Sequence, residues 1–280
     1  MMFYAIISLG SLGAFGAIIL YMTSVKFHVD EDLFITSVTE ALPGANCGGC
    51  GFPGCAGFAT ACVNAQSLDD LFCPAGGSET MFRVAAILGK QASAQESKIA
   101  VIRCNGSCEV RPRTCHYDGA KKCAIISSLY ESETGCFYGC FGFGDCIEAC
   151  PFDAIQINPV TRLAEVIENK CTSCGACVKA CPKKIIELRN KGPKSRRIYV
   201  SCVNRDKGSI ARKVCGNACI GCGKCMKECK FEAIMVRNNV AYIDDTKCRL
   251  CRKCLPVCPT NSILEINFPS GKAPLNNDNA

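Results

Sequence analysis

The sequence predicts an α+β chain of small, cysteine-held modules behind one N-terminal apolar helix. Three observations carry this: 27 cysteines in 280 residues, an opening stretch without a charge, and cysteine groups that recur at near-fixed spacing. Cysteine at this density is either paired or bound to metal, and an odd total excludes complete internal pairing. His28 and His116 are the only histidines, so any metal is held almost wholly by sulfur. Leu, Ile, Val and Phe are diluted by Cys and Gly. Several modules folded around metal are therefore expected, not one large aliphatic core.

The anchor comes first. Residues 1–25 contain no charged side chain, and the first charge is Lys26. A bilayer-spanning helix needs about 20 apolar residues, which this run supplies. A cleaved signal peptide would need a basic start and a small-x-small cleavage site, and neither is evident. A buried core helix is the bland alternative. Gly10, Gly13, Ala14, Gly16 and Ala17 form a small-residue face of the kind that packs against other helices in lipid. Positive charge after the span predicts a single-pass protein of the cytoplasmic (inner) membrane, with its C-terminal bulk on the cytoplasmic side. A reducing cytoplasm also favours thiolate ligands over disulfides.

Residues 30–90 are expected to form a small helical module. A short amphipathic helix over 30–42 ends at Pro43-Gly44, followed by Cys47, Cys50 and Cys55 and a distant Cys73 before Pro74. Glycines 48, 49, 51, 54 and 57 allow the sharp turns that wrap a metal cluster and aim N–H groups at sulfur. Cys62 falls on a helix and reads as a buried thiol. Ser78 is a plausible N-cap for a helix over 78–90, whose Met81, Val84, Ile87 and Leu88 share one core-facing side. After a polar linker, the segment 99–127 carries Cys104, Cys108, Cys115 and Cys123. These four could hold one iron–sulfur cluster or one zinc ion.

The spacing then sharpens. Cys171-x2-Cys174-x2-Cys177-x3-Cys181-Pro182 is the run of bacterial ferredoxins, in which the fourth cysteine ligates the other cluster of a pair. Its companion is Cys136, Cys140, Cys146 and Cys150, with widened early spacings. Cys219, Cys222, Cys225 and Cys229, then Cys248, Cys251, Cys254 and Cys258, repeat the plan, with Lys230 in place of the usual proline after Cys229. Residues 154–171 align with 233–248 as hairpins between cluster loops. So 136–188 and 219–266 read as two copies of a βαββαβ-like ferredoxin unit, each for two [4Fe-4S] clusters. Crossed ligation puts Cys150 with the 171–177 group, Cys181 with 136–146, Cys229 with 248–254 and Cys258 with 219–225. A zinc ribbon has two knuckles, not four tandem triplets. Six groups of four give about six [4Fe-4S] clusters and leave Cys62, Cys202 and Cys215, the last two either structural thiols or alternative ligands.

The formal charge of +7 counts every cysteine as neutral. Six oxidised clusters would contribute about −12 and reverse the sign, so no nucleic-acid partner is expected. Locally, Pro182 to Ala218 holds eleven Lys and Arg against Glu187 and Asp206. This segment, with the basic linker 189–218 at its centre, is expected either to dock an acidic redox partner or to neutralise neighbouring clusters. Residues 267–280 are expected to be a disordered tail.

An apolar helix, then Cys47-Gly-Gly-Cys50-Gly-Phe-Pro-Gly-Cys55 with a distant Cys-Pro, then tandem ferredoxin runs, resembles the B subunit of the Rnf complex in its long, multi-cluster form. The resemblance covers nearly the whole chain. It implies the iron–sulfur electron-transfer subunit of an ion-translocating ferredoxin:NAD oxidoreductase. Its implied partners are soluble reduced ferredoxin and the other membrane subunits of the complex. No GxGxxG or Walker motif is present, so nucleotide chemistry would belong to a partner. One span without an acidic residue offers no ion path either. Two other readings stay open: a tethered polyferredoxin serving another reductase or hydrogenase, and an iron–sulfur scaffold or redox sensor.

Overall fold

The computed structural model describes residues 2–26, 32–130 and 132–269, with the side chains of 2–9 and 12 excepted. Asp30 and Glu31 of the expected first amphipathic helix, and 270–280 of the expected tail, lie outside these residues. Helix α1 runs Met2–Lys26. The Thr23 hydroxyl donates back to the Ile19 and Leu20 carbonyls at 2.9 Å, so it is satisfied without water. Phe15, Ile18, Leu20, Tyr21, Met22 and Val25 are exposed along this helix. Among the described residues no helix is long and apolar enough to cross a membrane.

A three-helix module follows: α2 (Leu33–Ala41), α3 (Gly54–Asn64) and α4 (Gly77–Leu88). Asp32 caps α2 by accepting the Phe34 N–H at 2.9 Å. Val38, Phe58, Cys62, Leu68, Met81 and Val84 form its core. Lys90 reaches the other helix end, donating to the carbonyls of Cys62, Val63 and Ala65 at 2.7, 2.9 and 2.6 Å. These carbonyls end α3 and lack partners within the helix, so one ammonium satisfies three of them. Ser78 is not the cap of α4. The helix starts one residue earlier, from the positive-φ Gly77, and the Ser78 hydroxyl bonds Gln95 instead.

The remainder is a duplicated unit. The first copy contains β1 (Lys98–Ile102), α5 (Cys123–Leu129), α6 (Asp145–Glu148), β2 (Ile155–Ile157), β3 (Ala164–Val166), α7 (Ala176–Ala180) and β4 (Ile186–Asn190). The second contains β5 (Arg197–Val200), α8 (Gly208–Val214), α9 (Lys224–Glu228), β6 (Ile234–Arg237), β7 (Val240–Ile243) and β8 (Ile263–Ile266). The expected hairpins form, β2 with β3 and β6 with β7. Each copy is closed by a second antiparallel pair, β1 with β4 and β5 with β8. Strands β1 and β5, upstream of 136 and 219, thus pair with strands inside each expected unit. β1 begins one residue before the 99–127 segment and β5 lies in the 189–218 linker. The closing strands were hidden because a long stretch separates each from its cysteine loops.

Arginines join the copies. Arg103 donates through Nε to the Val200 carbonyl and through Nη2 to the Cys202 carbonyl, both at 3.1 Å, and pairs with Glu187 at 3.3 Å. Arg189, only 2% exposed, pairs with Glu187 at 2.7 Å, donates to the Ile243 carbonyl and lies over the Tyr242 ring. Arg197 is also buried and pairs with Glu168 at 3.1 Å. Two of the basic-segment charges therefore hold the fold. Replacing Arg189 by Met should leave the Ile243 carbonyl without its donor and Glu187 with Arg103 alone. The expected cost is about 1–3 kcal/mol, seen as an earlier loss of cluster absorbance in a denaturant titration. An unmoved midpoint would show the contact to be idle.

Candidate metal centres

All 27 cysteines are free of disulfide bonds. Most of them lie beside other cysteines, many around shared cavities. In the first expected set, Cys47, Cys50 and Cys55 sit on the glycine-rich loop and Cys73 comes from the segment before α4. The Cys73 thiol is pushed up by burial first and then by Cys50 and Cys47 across the set, against the N–H that Gly76 donates to its sulfur at 3.4 Å. Asn46 folds the loop by accepting the Cys55 N–H at 2.7 Å. Cys62 is fully buried on α3 beside this set, its thiol pushed up to about 11 chiefly by burial.

In the ferredoxin-type loops, cysteines from the paired loop lie close by. Burial, then Cys171, Cys174 and Cys150, push Cys177 up to about 12. Cys219, Cys222, Cys225 and Cys258 line one cavity. Burial, then Cys248, Cys225 and Cys251, push Cys254 up to about 12, and Cys229 adjoins Cys248.

The other two sets differ from the expected grouping. The 104–123 cysteines do not converge. Cys104 faces one cavity and Cys123 another, while Cys108 is exposed with its sulfur 3.8 Å from the Thr161 carbonyl. Cys115 turns to the Ser132 carbonyl at 3.6 Å. Cys123 instead joins Cys140, Cys146 and Cys181 around one cavity. Asp145 holds it there by accepting the backbone N–H groups of Cys123 and Ala124 at 2.7 and 2.9 Å. Cys136, expected with that set, faces away from it. It lines a separate cavity with Cys104, Cys202 and Cys215. The segment after β1 is short and pulls Cys104 toward the second copy, whereas the longer run to α5 lets Cys123 return to the first.

The donor sets fit polynuclear clusters. A single zinc with thiolates at about 2.3 Å would draw sulfurs to within about 4 Å of one another. Among the described residues no three His, Cys, Asp or Glu side chains draw together closely enough to grip one ion. Three of the sets instead line separate cavities. Backbone N–H groups point at sulfur throughout, from Ala154 to Cys150 at 3.4 Å and from Ala241 to Cys219 at 3.3 Å. Such donors stabilise sulfur that carries cluster charge.

Residues 42–70 match a family described as a putative Fe-S cluster, and residues 135–185 and 218–262 each match the 4Fe-4S dicluster domain. The B subunit of the Na(+)-translocating ferredoxin:NAD(+) oxidoreductase complex of Acetobacterium woodii is 44% identical over 92% of this chain and 77% of its own length. The B subunit of the ion-translocating oxidoreductase complex of Methanosarcina acetivorans is 37% identical over 91% of the chain and 95% of its own length. This chain belongs to the B-subunit family of ion-translocating oxidoreductase complexes. The B subunit of the proton-translocating ferredoxin:NAD(+) oxidoreductase complex of Clostridium ljungdahlii is 36% identical over 90% of the chain and 88% of its own length.

In this member of the B-subunit family the sets follow one another without a break. Cys174 is pushed up by burial first and then by Cys47 of the N-terminal module and by Cys150. Burial raises Cys146 to about 12, with Cys177 of the neighbouring set among the contributors. The Cys140 N–H donates to Cys104 sulfur at 3.4 Å. Cys202, raised to about 12 by burial, adjoins Cys219. Cys225 adjoins Cys254. The first junction is tight: a Cβ on Gly49 would meet the Cys174 carbonyl oxygen at 2.7 Å. Gly49→Val should therefore weaken docking of the N-terminal module by about 1–3 kcal/mol. Iron content should hold while reduction of that module's cluster slows relative to the others in rapid-mixing spectra. Equal rates with full iron would refute the junction.

Proposed function

We propose that the chain is the membrane-anchored electron relay of an Rnf-type complex, taking electrons from reduced ferredoxin at its second unit and delivering them through its N-terminal module. The observation that carries this reading is the unbroken line of four-cysteine sets between those two ends. A [4Fe-4S] group held in a set supplies one-electron chemistry at low potential. The chain's own residues do the rest. Cysteines fix the spacing, buried Ile, Val and Ala side chains exclude water, and backbone N–H groups tune the sulfurs.

The two ends differ in surface. Cys222 and Cys251 are exposed at the second unit, amid exposed Lys224, Lys227, Lys247, Arg249 and Lys253. Soluble ferredoxins are acidic, so opposite fields speed encounter there. The other end continues into α1, whose uncharged run and exposed aromatic and aliphatic side chains suit a single-pass anchor in the cytoplasmic membrane, packed against partner subunits. Ion translocation and nucleotide chemistry fall to those subunits.

Changing Lys224, Lys227, Lys247 and Lys253 together to Glu should slow reduction by ferredoxin at low salt by about tenfold or more and flatten its salt dependence. Iron content and the rate with a small neutral reductant should stay unchanged. An unaltered ferredoxin rate would end the docking proposal. Equal slowing with both reductants would assign these charges to the clusters instead.

A further inference from the structure

Cys104, Cys136, Cys202 and Cys215 line one cavity, and only Cys136 comes from a ferredoxin run. Cys202 and Cys215 lie outside every matched domain, since the second dicluster match begins at 218. Yet the duplication generates all four. Cys104 follows the end of β1 at Ile102 by the interval at which Cys202 follows the end of β5 at Val200. The residue before each makes the same closing bond. The Arg103 N–H donates to the Ile185 carbonyl at 2.7 Å, just before β4, and the Ser201 N–H to the Ser262 carbonyl at 2.8 Å, just before β8. Cys136 stands four residues before Cys140, and Cys215 four before Cys219, each pair ending on a ligand of its own copy's set. Each copy thus contributes two equivalent cysteines to a shared cavity at the junction.

From this we infer that Cys104, Cys136, Cys202 and Cys215 ligate one [4Fe-4S] cluster that bridges the two ferredoxin units. The four line one cavity, as the ferredoxin-type set Cys219, Cys222, Cys225 and Cys258 lines its own. Its sulfurs receive donors as that set's do. The Asn204 N–H donates to Cys202 at 3.4 Å, Asn204 Nδ2 to Cys136 at 3.5 Å and the Cys140 N–H to Cys104 at 3.4 Å. Asn204 is itself 1% exposed. Arg111 lines the cavity, 9% exposed, fixed through Nε to the Gly106 carbonyl at 3.2 Å and through Nη2 to the Cys140 carbonyl at 2.6 Å. Its guanidinium offsets part of the negative charge of a four-thiolate cluster. The tight fit extends to glycine: a Cβ on Gly139 would run into the Arg111 guanidinium. On ligation the four thiols release their protons to solvent and bind iron as thiolates.

The proposal rests on the relay reading for the kind of group bound, and a full-chain iron count separates the two. The anaerobically reconstituted chain should hold about 24 iron atoms, from six sets of four. Cys202→Ser and Cys215→Ser should each lose about four iron or convert one cluster to a three-iron form, visible by electron paramagnetic resonance. The Cys108→Ser/Cys115→Ser double variant, altered outside the cavity, should keep the full count. Loss of about four iron from that double variant would overturn the inference whether or not the Cys202 variant folds. So would a wild-type count of about 20, with or without one zinc, and this result would leave the other five sets and the relay reading standing. A chain that takes up no iron would sink both.

Discussion

Metal–thiolate bonding is the constraint on which this fold depends, because little else in it can hold. The sheets are two-stranded, with hairpins of three or four residues per strand, and such ribbons are marginal alone in water. The buried clusters of the two units are themselves part cysteine: Cys146 and Cys177 in the first, Cys202, Cys215, Cys219, Cys225 and Cys254 in the second. Burial pushes several of these thiols up to 11 or 12, so without metal they stay protonated and contribute only as small apolar groups. Iron would replace those protons and tie separate chain segments together. Folding and cluster assembly are then one process.

Within that constraint the two copies solve the same geometric problem with different residues. Three of the ferredoxin-type loops enter a short helix through a glycine at positive φ. This is Gly144 before α6, Gly175 before α7 and Gly223 before α9. The fourth loop places Arg252 there, at φ 67, and Arg252 pairs with Glu265 across the unit. A side chain in the left-handed region is unfavourable, and the ion pair ties this one down. The larger substitution concerns Cys222, whose counterpart in the first copy is Phe143, since Cys140 and Cys146 keep the separation of Cys219 and Cys225. Cys123 fills the gap from α5, near the Phe143 and Gly144 backbone N–H groups. The insertion after β1 thus brings a cysteine to the cavity where its own copy has Phe143 in place of one.

This explains which parts were legible in the sequence. Cys171, Cys174 and Cys177 come from one loop wrapping one cluster, and a two-residue interval records that wrapping directly. The duplicated plan also brings Cys150, Cys181, Cys229 and Cys258 beside the paired loops. A set assembled from four separate segments leaves no local interval. Cys104, Cys108, Cys115 and Cys123 lie within twenty residues and invited grouping, yet nearness in sequence says nothing once a strand end and a helix carry them to different cavities. The surviving signal was the matched four-residue step from Cys136 to Cys140 and from Cys215 to Cys219. It appears only when the copies are aligned from their first strands, and those strands fall in segments whose composition reads as linker.

The basic segment shows how charge divides between fold and encounter. Its net charge suits an acidic partner and anionic clusters equally well, and burial separates the two uses. Arg189 and Arg197 are enclosed and committed to Glu187 and Glu168, and Arg196 lies over the Phe268 ring. A buried guanidinium is costly unless paired, so these positions serve the junction between units and cannot also meet a partner. Lys194, Arg205, Lys207, Arg212 and Lys213 are exposed and keep their hydration. Charges of that kind add little to stability but extend a field about 8–10 Å into physiological salt. The inner arginines therefore fix the relative position of the two units, and with it the junction cavity. The outer lysines and arginines act on what approaches.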